Sequence, residues 1–154
     1  MITVRNLNKK LGDALAKVEA AVETPFVPGE LERWMDAVEE AFLTLEPVLE
    51  KQLNQIHPDI YDDIQQEDPG LLPRVELMQS QDQEIKRADN EIKQKLPILR
   101  NAITNIEPDE AIIKRTLESF VDETLEFVIT IRKQEQSLRT WTMEAFNRDR
   151  GTVD

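Results

Sequence analysis

"LLPRVELMQSQDQEIKRADNEIKQKLPILRNAI", residues 71–103, is the stretch that decides the fold class. Leu71, Val75, Met78, Asp82, Ile85, Asp89, Ile92, Leu96, Leu99 and Ile103 alternate steps of four and three. That alternation puts them all on one side of a helix, in the heptad seam by which long helices pack lengthwise on one another. Both interruptions of the seam are aspartates, and Pro97 predicts a kink near its far end.

Working outward, "NIEPDE" (105–110) separates this seam from another. Pro108 suits a first helical position, and Asp109 and Glu110 suit the positive start of a helix. The seam that follows is Ile113, Leu117, Phe120, Thr124, Phe127, Ile131, Gln134, Leu138, Trp141 and Ala145, which makes Gln134 an inward-facing amide. Arg148 and Arg150 suit the negative end of that helix, and Gly151 sits where a cap belongs. Upstream, Val4, Leu7, Leu11, Leu15, Val18 and Val22 form a first stripe that "TPFVPGE" (24–30) ends. Leu31, Trp34, Val38, Phe42, Leu45, Leu49 and Ile56 form a second, with a bend expected at Pro47. Pro58 of "IHPD" is expected to stop or re-aim the chain. "DDIQQEDPG" (62–70) reads as a short helical piece and a turn, because Pro69 and Gly70 punctuate it. Four amphipathic segments with short connections predict an all-α fold: one domain, 1–154, built as an antiparallel up-down-up-down four-helix bundle. A three-helix bundle with a detached arm and a helical dimer are the alternatives.

Composition agrees and excludes much chemistry. The 154 residues include four Gly and five per cent aromatics, a bias toward helix. No run approaches the 18 or so apolar residues of a membrane span, and the N-terminus lacks the basic-then-apolar form of a signal peptide. A soluble, cytoplasmic protein is expected. The absence of Cys removes disulfides, thiolate nucleophiles and zinc ribbons, and His57 is the only histidine. With 31 acidic against 19 basic residues, the net charge of −12 repels nucleic acid and anionic lipid, so neither is expected as a partner. No nucleophile-base pair, phosphate loop or cofactor fingerprint is present, so no enzyme and no cofactor are expected.

"LLPRVELMQSQDQEI" and "RKQEQSLRTWTMEAFNRDRGTVD" together resemble the hemerythrin-like (HHE cation-binding) family of four-helix bundles. Bacterial members open the third helix with a PRVxxLxxEH segment. Their fourth helix carries HxxxE and then an EAxxxDxGxxD-like tail. This chain has "PRVELMQSQD" and "EAFNRDRGTVD" in the same relation, and "VETPFVPGELERWMDAVEEAFLTLEPVLE" fits the family's link between its first two helices. Carried over residue by residue, the resemblance places the family's Glu-His pair on Gln81 and Asp82. Its fourth-helix His falls on Gln134 and the following Glu on Leu138. The second-helix ligand stretch falls on or near "KQLNQI", Lys51 to Ile56, with Lys51 and Gln52 as the nearest positions, and the first helix has no His. A di-iron centre needs several imidazoles and carboxylates converging, so the resemblance implies a bundle that has lost its metal.

Other readings follow from the residues themselves. His57 beside Pro58 reads as a surface histidine among the solvated acids Asp59, Asp62 and Asp63; Asp62, Asp63, Glu67 and Asp68 lack a calcium-loop pattern and read as an exposed acidic turn. Asp82 and Asp89, seven residues or about 10.5 Å apart along a helix, are too far apart to grip one small ion. One is expected inside with a partner and the other in solvent. Trp34 and Trp141 read as seam-filling aromatics. Lys51, with Gln52 fitting the seam about as well, is the expected countercharge for a buried Asp82, and Gln134 its hydrogen-bond donor. The function expected is a non-catalytic interaction or structural module, acting with an unidentified protein partner or as a homodimer. The alternative is a metal-binding or redox/oxygen-sensing protein with a rearranged carboxylate-rich site of Asp82, His57 and nearby acids.

Overall fold

The structure, a computed structural model, describes the backbone of residues 4–105 and 109–151 and the side chains of residues 8–105 and 109–147. Helix α1 spans Val4–Glu23 and α2 Leu31–Lys51; a π-helical turn, Gln52–Ile56, leads without a break into α3, His57–Glu67. A 3-10 turn, Pro69–Leu71, precedes α4, Leu72–Thr104, and α5 covers Glu110–Gly151. The described residues contain no strand, so the fold is all-helical. With α2, the π turn and α3 forming one rod, there are four long helical rods among them.

The heptad seams account for the packing. On α4, Val75, Met78, Asp82, Ile85, Asp89, Ile92 and Leu99 are buried; on α5, Ile113, Leu117, Phe120, Thr124, Phe127, Ile131, Gln134, Leu138 and Ala145 are. Asp109 starts α5 as expected, its Oδ1 accepting from the N–H groups of Ala111 and Ile112 at 3.1 and 3.3 Å. Leu11, Leu15, Val18 and Val22 bury the stripe of α1. The expected roles of the Val4, Leu7, Arg148 and Arg150 side chains and of Pro108 lie outside the described residues, and Gly151, expected as a cap, is the last described residue of α5 and helical. Gly29, at φ 89, supplies the left-handed backbone that turns the α1–α2 connection.

Helix α1 packs on α2 and α5, and α4 packs on α2 and α5. Charged pairs tie the rods in register. Arg100 forks onto Glu39 at 3.0 and 2.8 Å and reaches Asp36 at 2.7 Å. Lys93 meets Glu46 at 2.9 Å, Arg132 meets Glu19 at 2.6 Å, and Lys95 pairs with Glu123. Near the α1–α2 turn, Trp34 stands edge-on to Phe26 and Phe120, a geometry that adds to the burial of these rings.

The three prolines expected to disturb helices all lie within helical backbone. Helix α2 runs through Pro47 and α4 through Pro97, and both residues are exposed. Pro58 neither stops nor caps the second rod. The backbone remains helical at Gln52 (φ −60, ψ −49) and His57 (φ −59, ψ −48), and the His57 N–H bonds to the Gln52 carbonyl five residues back. Pro58 has no N–H to give the Asn54 carbonyl, and its ring would crowd that carbonyl; the wider π turn immediately before it makes room. The extra residue also advances the phase of everything beyond it.

Candidate functional site

That phase advance turns His57 inward. An undisturbed heptad after Leu45 and Leu49 continues to 52, 56, 59 and 63, which would bury Ile56 and leave His57 outside. Instead Gln52 and Leu53 are both buried in the π turn, and His57, Tyr61 and Ile64 follow them into the interior. His57 is 0 % exposed, which overturns its reading as a surface histidine. Asp59, Asp62, Asp63 and Glu67 are on the exposed side of α3, and Asp68 caps the turn by accepting from the Gly70 N–H at 3.0 Å.

The imidazole lies between two carboxylates. Nδ1 is 2.9 Å from Asp82 Oδ1 on α4, and Nε2 is 2.5 Å from Glu135 Oε1 on α5. An ionised carboxylate only accepts, so each ring nitrogen must donate, and an imidazole that donates twice is the cation. Burial acts to lower the His57 pKa, but the hydrogen bonds and charges of Asp82 and Glu135 outweigh it and push the group up to about 9. Tyr61 donates to Asp82 Oδ2 at 2.8 Å; burial and the Asp82 charge hold its phenol well above its ordinary range. Gln134 donates to Asp82 Oδ1 at 2.5 Å and to the Met78 carbonyl at 3.3 Å, while its own Oε1 has no partner among the described residues. Gln52 donates to Glu135 Oε2 at 2.9 Å and to Asn8 Oδ1 at 3.3 Å, which brings α1 into the network.

This network is one layer across the bundle. On one side lies an apolar cluster from α1, α2, α4 and α5; on the other, Tyr61, Ile64, Leu71, Val75, Met78, Leu138 and Ala145 from α3, α4, α5 and the turn before α4. Trp34 belongs to the first cluster. Trp141 packs against the second, half-buried, with the Arg74 guanidinium 4.5 Å above its ring.

Of the former ligand positions expected from the sequence, Gln52, Asp82 and Gln134 meet in this layer. Leu138 lies in the second apolar cluster; Lys51 and Gln81 are partly exposed and outside the network. The expected pairing of Lys51 with Asp82 is therefore corrected. The cation is His57, because the π turn rotates it, and not Lys51, toward α4. Asp89 is also corrected: at 7 % exposure it is as inward as Asp82. Glu135 was missed because it stands beside the seam rather than on it.

The donor set is one imidazole, two carboxylates, a phenol and three carboxamides, with both imidazole nitrogens directed at carboxylates. That set does not fit a pair of iron ions, which need several imidazoles and carboxylates with free lone pairs. Among the described residues no group of three or more His, Asp or Glu has the geometry to hold a metal. No helix there is long and apolar enough to cross a membrane. No family model matches the chain, and no curated protein or solved structure matches it either.

Proposed function

We propose that this chain is a non-catalytic, hemerythrin-like bundle that works as a cytoplasmic interaction or structural module. Its rods run up-down-up-down and antiparallel. Interhelix pairs support that topology: His57 to Asp82, Glu46 to Lys93 and Glu39 to Arg100 descend one helix while climbing the other, as do Gln134 to Asp82 and Glu123 to Lys95.

One observation carries the functional reading: both ring nitrogens of His57 are engaged by carboxylates. An imidazolium has no lone pair for a metal, and its charge takes from within the chain the place of an external cation. Since the seams are used by the core, a protein partner or second copy meets an outer face, where Leu43, Leu77, Ile98 and Met143 stand exposed. The charge of −12 disfavours nucleic acid and anionic membranes as that partner.

The second reading, a metal-binding or redox/oxygen-sensing protein, requires His57 to give up a proton and His57, Asp82 and Glu135 to rearrange around a single ion, because as placed they lack the geometry to hold one. Metal analysis of untagged purified protein separates the two. The first reading expects a colourless protein without stoichiometric iron that melts alike with and without chelator, because a metal bound only by the native state adds stability. One tightly held ion per chain, with a ligand-to-metal absorption band, would establish the second.

A further inference from the structure

Two turns along α4 from Asp82, a second pair of acids meets across the α2–α4 interface. Asp89 is 7 % exposed, and Glu46 is half-buried opposite it. The Lys93 ammonium serves both, 2.9 Å from Glu46 Oε2 and 3.3 Å from Asp89 Oδ2. It balances one of the two charges. The remaining oxygens, Glu46 Oε1 and Asp89 Oδ1, are buried and have no donor among the described residues. Two ionised carboxylates cannot satisfy one another, since each only accepts, and a carboxylate oxygen stripped of water and of donors is costly. A single proton answers both needs: the protonated acid donates to the ionised one, and the one charge left faces Lys93.

We propose that Glu46 and Asp89 hold one proton between their buried oxygens, forming a pH-sensitive clasp of α2 onto α4 that loosens when the proton leaves. Burial first, and hydrogen bonding with Asp89 next, push Glu46 up to about 7 against the pull of Lys93. The groups acting on Glu46 are Asp89 and Lys93, and those acting on Lys93 are Glu46 and Asp89. Lys17 of α1 pairs with Glu40, Arg132 of α5 with Glu19, and Glu123 of α5 with Lys95, and none of the three acts on Glu46 or Lys93. The clasp is therefore a closed set of three groups. Because its folded pKa lies above the ordinary 4.5, the stability it confers is complete below 4.5 and is lost as pH rises through about 7. Its window opens below that of His57, whose contribution declines between 6.5 and about 9, and the two overlap only between 6.5 and about 7.

The test uses the full chain in two measurements. In the first, Glu46 is followed through a carboxyl ¹³C titration; it should titrate near neutrality, apart from the bulk of the glutamates. In the second, urea unfolding of the parent and of Glu46→Gln is compared from about pH 5 to 6.5, where Glu46 titrates and His57 does not. One-proton linkage changes the parent's unfolding constant by up to about tenfold per pH unit. Glu46→Gln keeps a donor toward Asp89 at every pH, so it should flatten that dependence. Titration of Glu46 in the ordinary carboxylate range, or a Gln variant that keeps the parent's full slope, would overturn the clasp. Should the variant not fold, the carboxyl titration of the parent decides alone.

Discussion

His57 carries the interior of this protein because each of its nitrogens meets a carboxylate oxygen, and with its pKa pushed up to about 9 the ring is a cation at neutral pH that donates to both. Removing one acceptor therefore leaves a buried cation short of a partner. Asp82→Ala also removes the acceptor of the Tyr61 hydroxyl and one of the two acceptors of the Gln134 amide, and we expect it to cost roughly 3 kcal/mol or more in urea unfolding. Replacing His57, Asp82 and Glu135 together with apolar residues of similar size should come out far nearer to neutral, since no charge is then left buried alone. A cost below about 0.5 kcal/mol for Asp82→Ala would mean that the carboxylate is solvated and the layer is not formed. The pH dependence has a defined sign. The folded pKa of His57 is raised, so its stabilisation is complete below 6.5 and fades as pH climbs through about 9. Unfolding measured at pH 7 and at about pH 10 should show the parent losing stability, and the triply apolar variant losing distinctly less. Asp82 and Gln134 were legible as inward polar residues because each falls on a heptad position, whereas Asp89, on the same seam, was expected in solvent and lies inside as well. Glu135 was not, because hydrogen bonding and not burial draws it in from the flank of the seam.

At the scale of elements, α4 and α5 could be read almost residue by residue, since an uninterrupted seam fixes which face is buried before any partner is known. The second rod could not, because its period changes at Gln52–Ile56 and a heptad drawn straight through puts the wrong face inside. The signal was nevertheless present: beyond Ile56 the heptad falls on Asp59 and Asp63, whereas Leu53, His57, Tyr61 and Ile64 form a consistent stripe one residue later. Pro58 reads as a stop by its usual effect, but here its missing donor is accommodated by a wider turn. Deleting the exposed Asn54 should convert that turn to plain helix and rotate α3 by about 100°, carrying His57, Tyr61 and Ile64 off the interior. Exposing the two large side chains alone forfeits about 1.5–3 kcal/mol each. Calorimetry should therefore show a clearly lowered melting temperature, and an unchanged one would mean that the π turn does not set the phase.

In the whole molecule, the histidine layer divides two apolar clusters and ties α1, the second rod, α4 and α5 together at one level. Such a layer is costly wherever a member goes unpartnered, as Gln134 Oε1 does among the described residues, so the one register in which its other contacts form is specified more sharply than by apolar seams alone. The all-helical class was readable from composition and spacing, and so was one inward aspartate of the two that are buried. The identity of the internal cation was not, because it depends on which residue a single irregular turn points inward. The central claim is that an imidazolium from the chain's own sequence occupies the middle of the bundle. His57 is the sole histidine, so an imidazole ¹⁵N spectrum of the folded, labelled protein reports on this one residue. At about pH 8 the account predicts two protonated ring nitrogens with imidazolium shifts, unchanged by a chelator; a neutral tautomer at that pH, or a spectrum that the chelator alters, would contradict it.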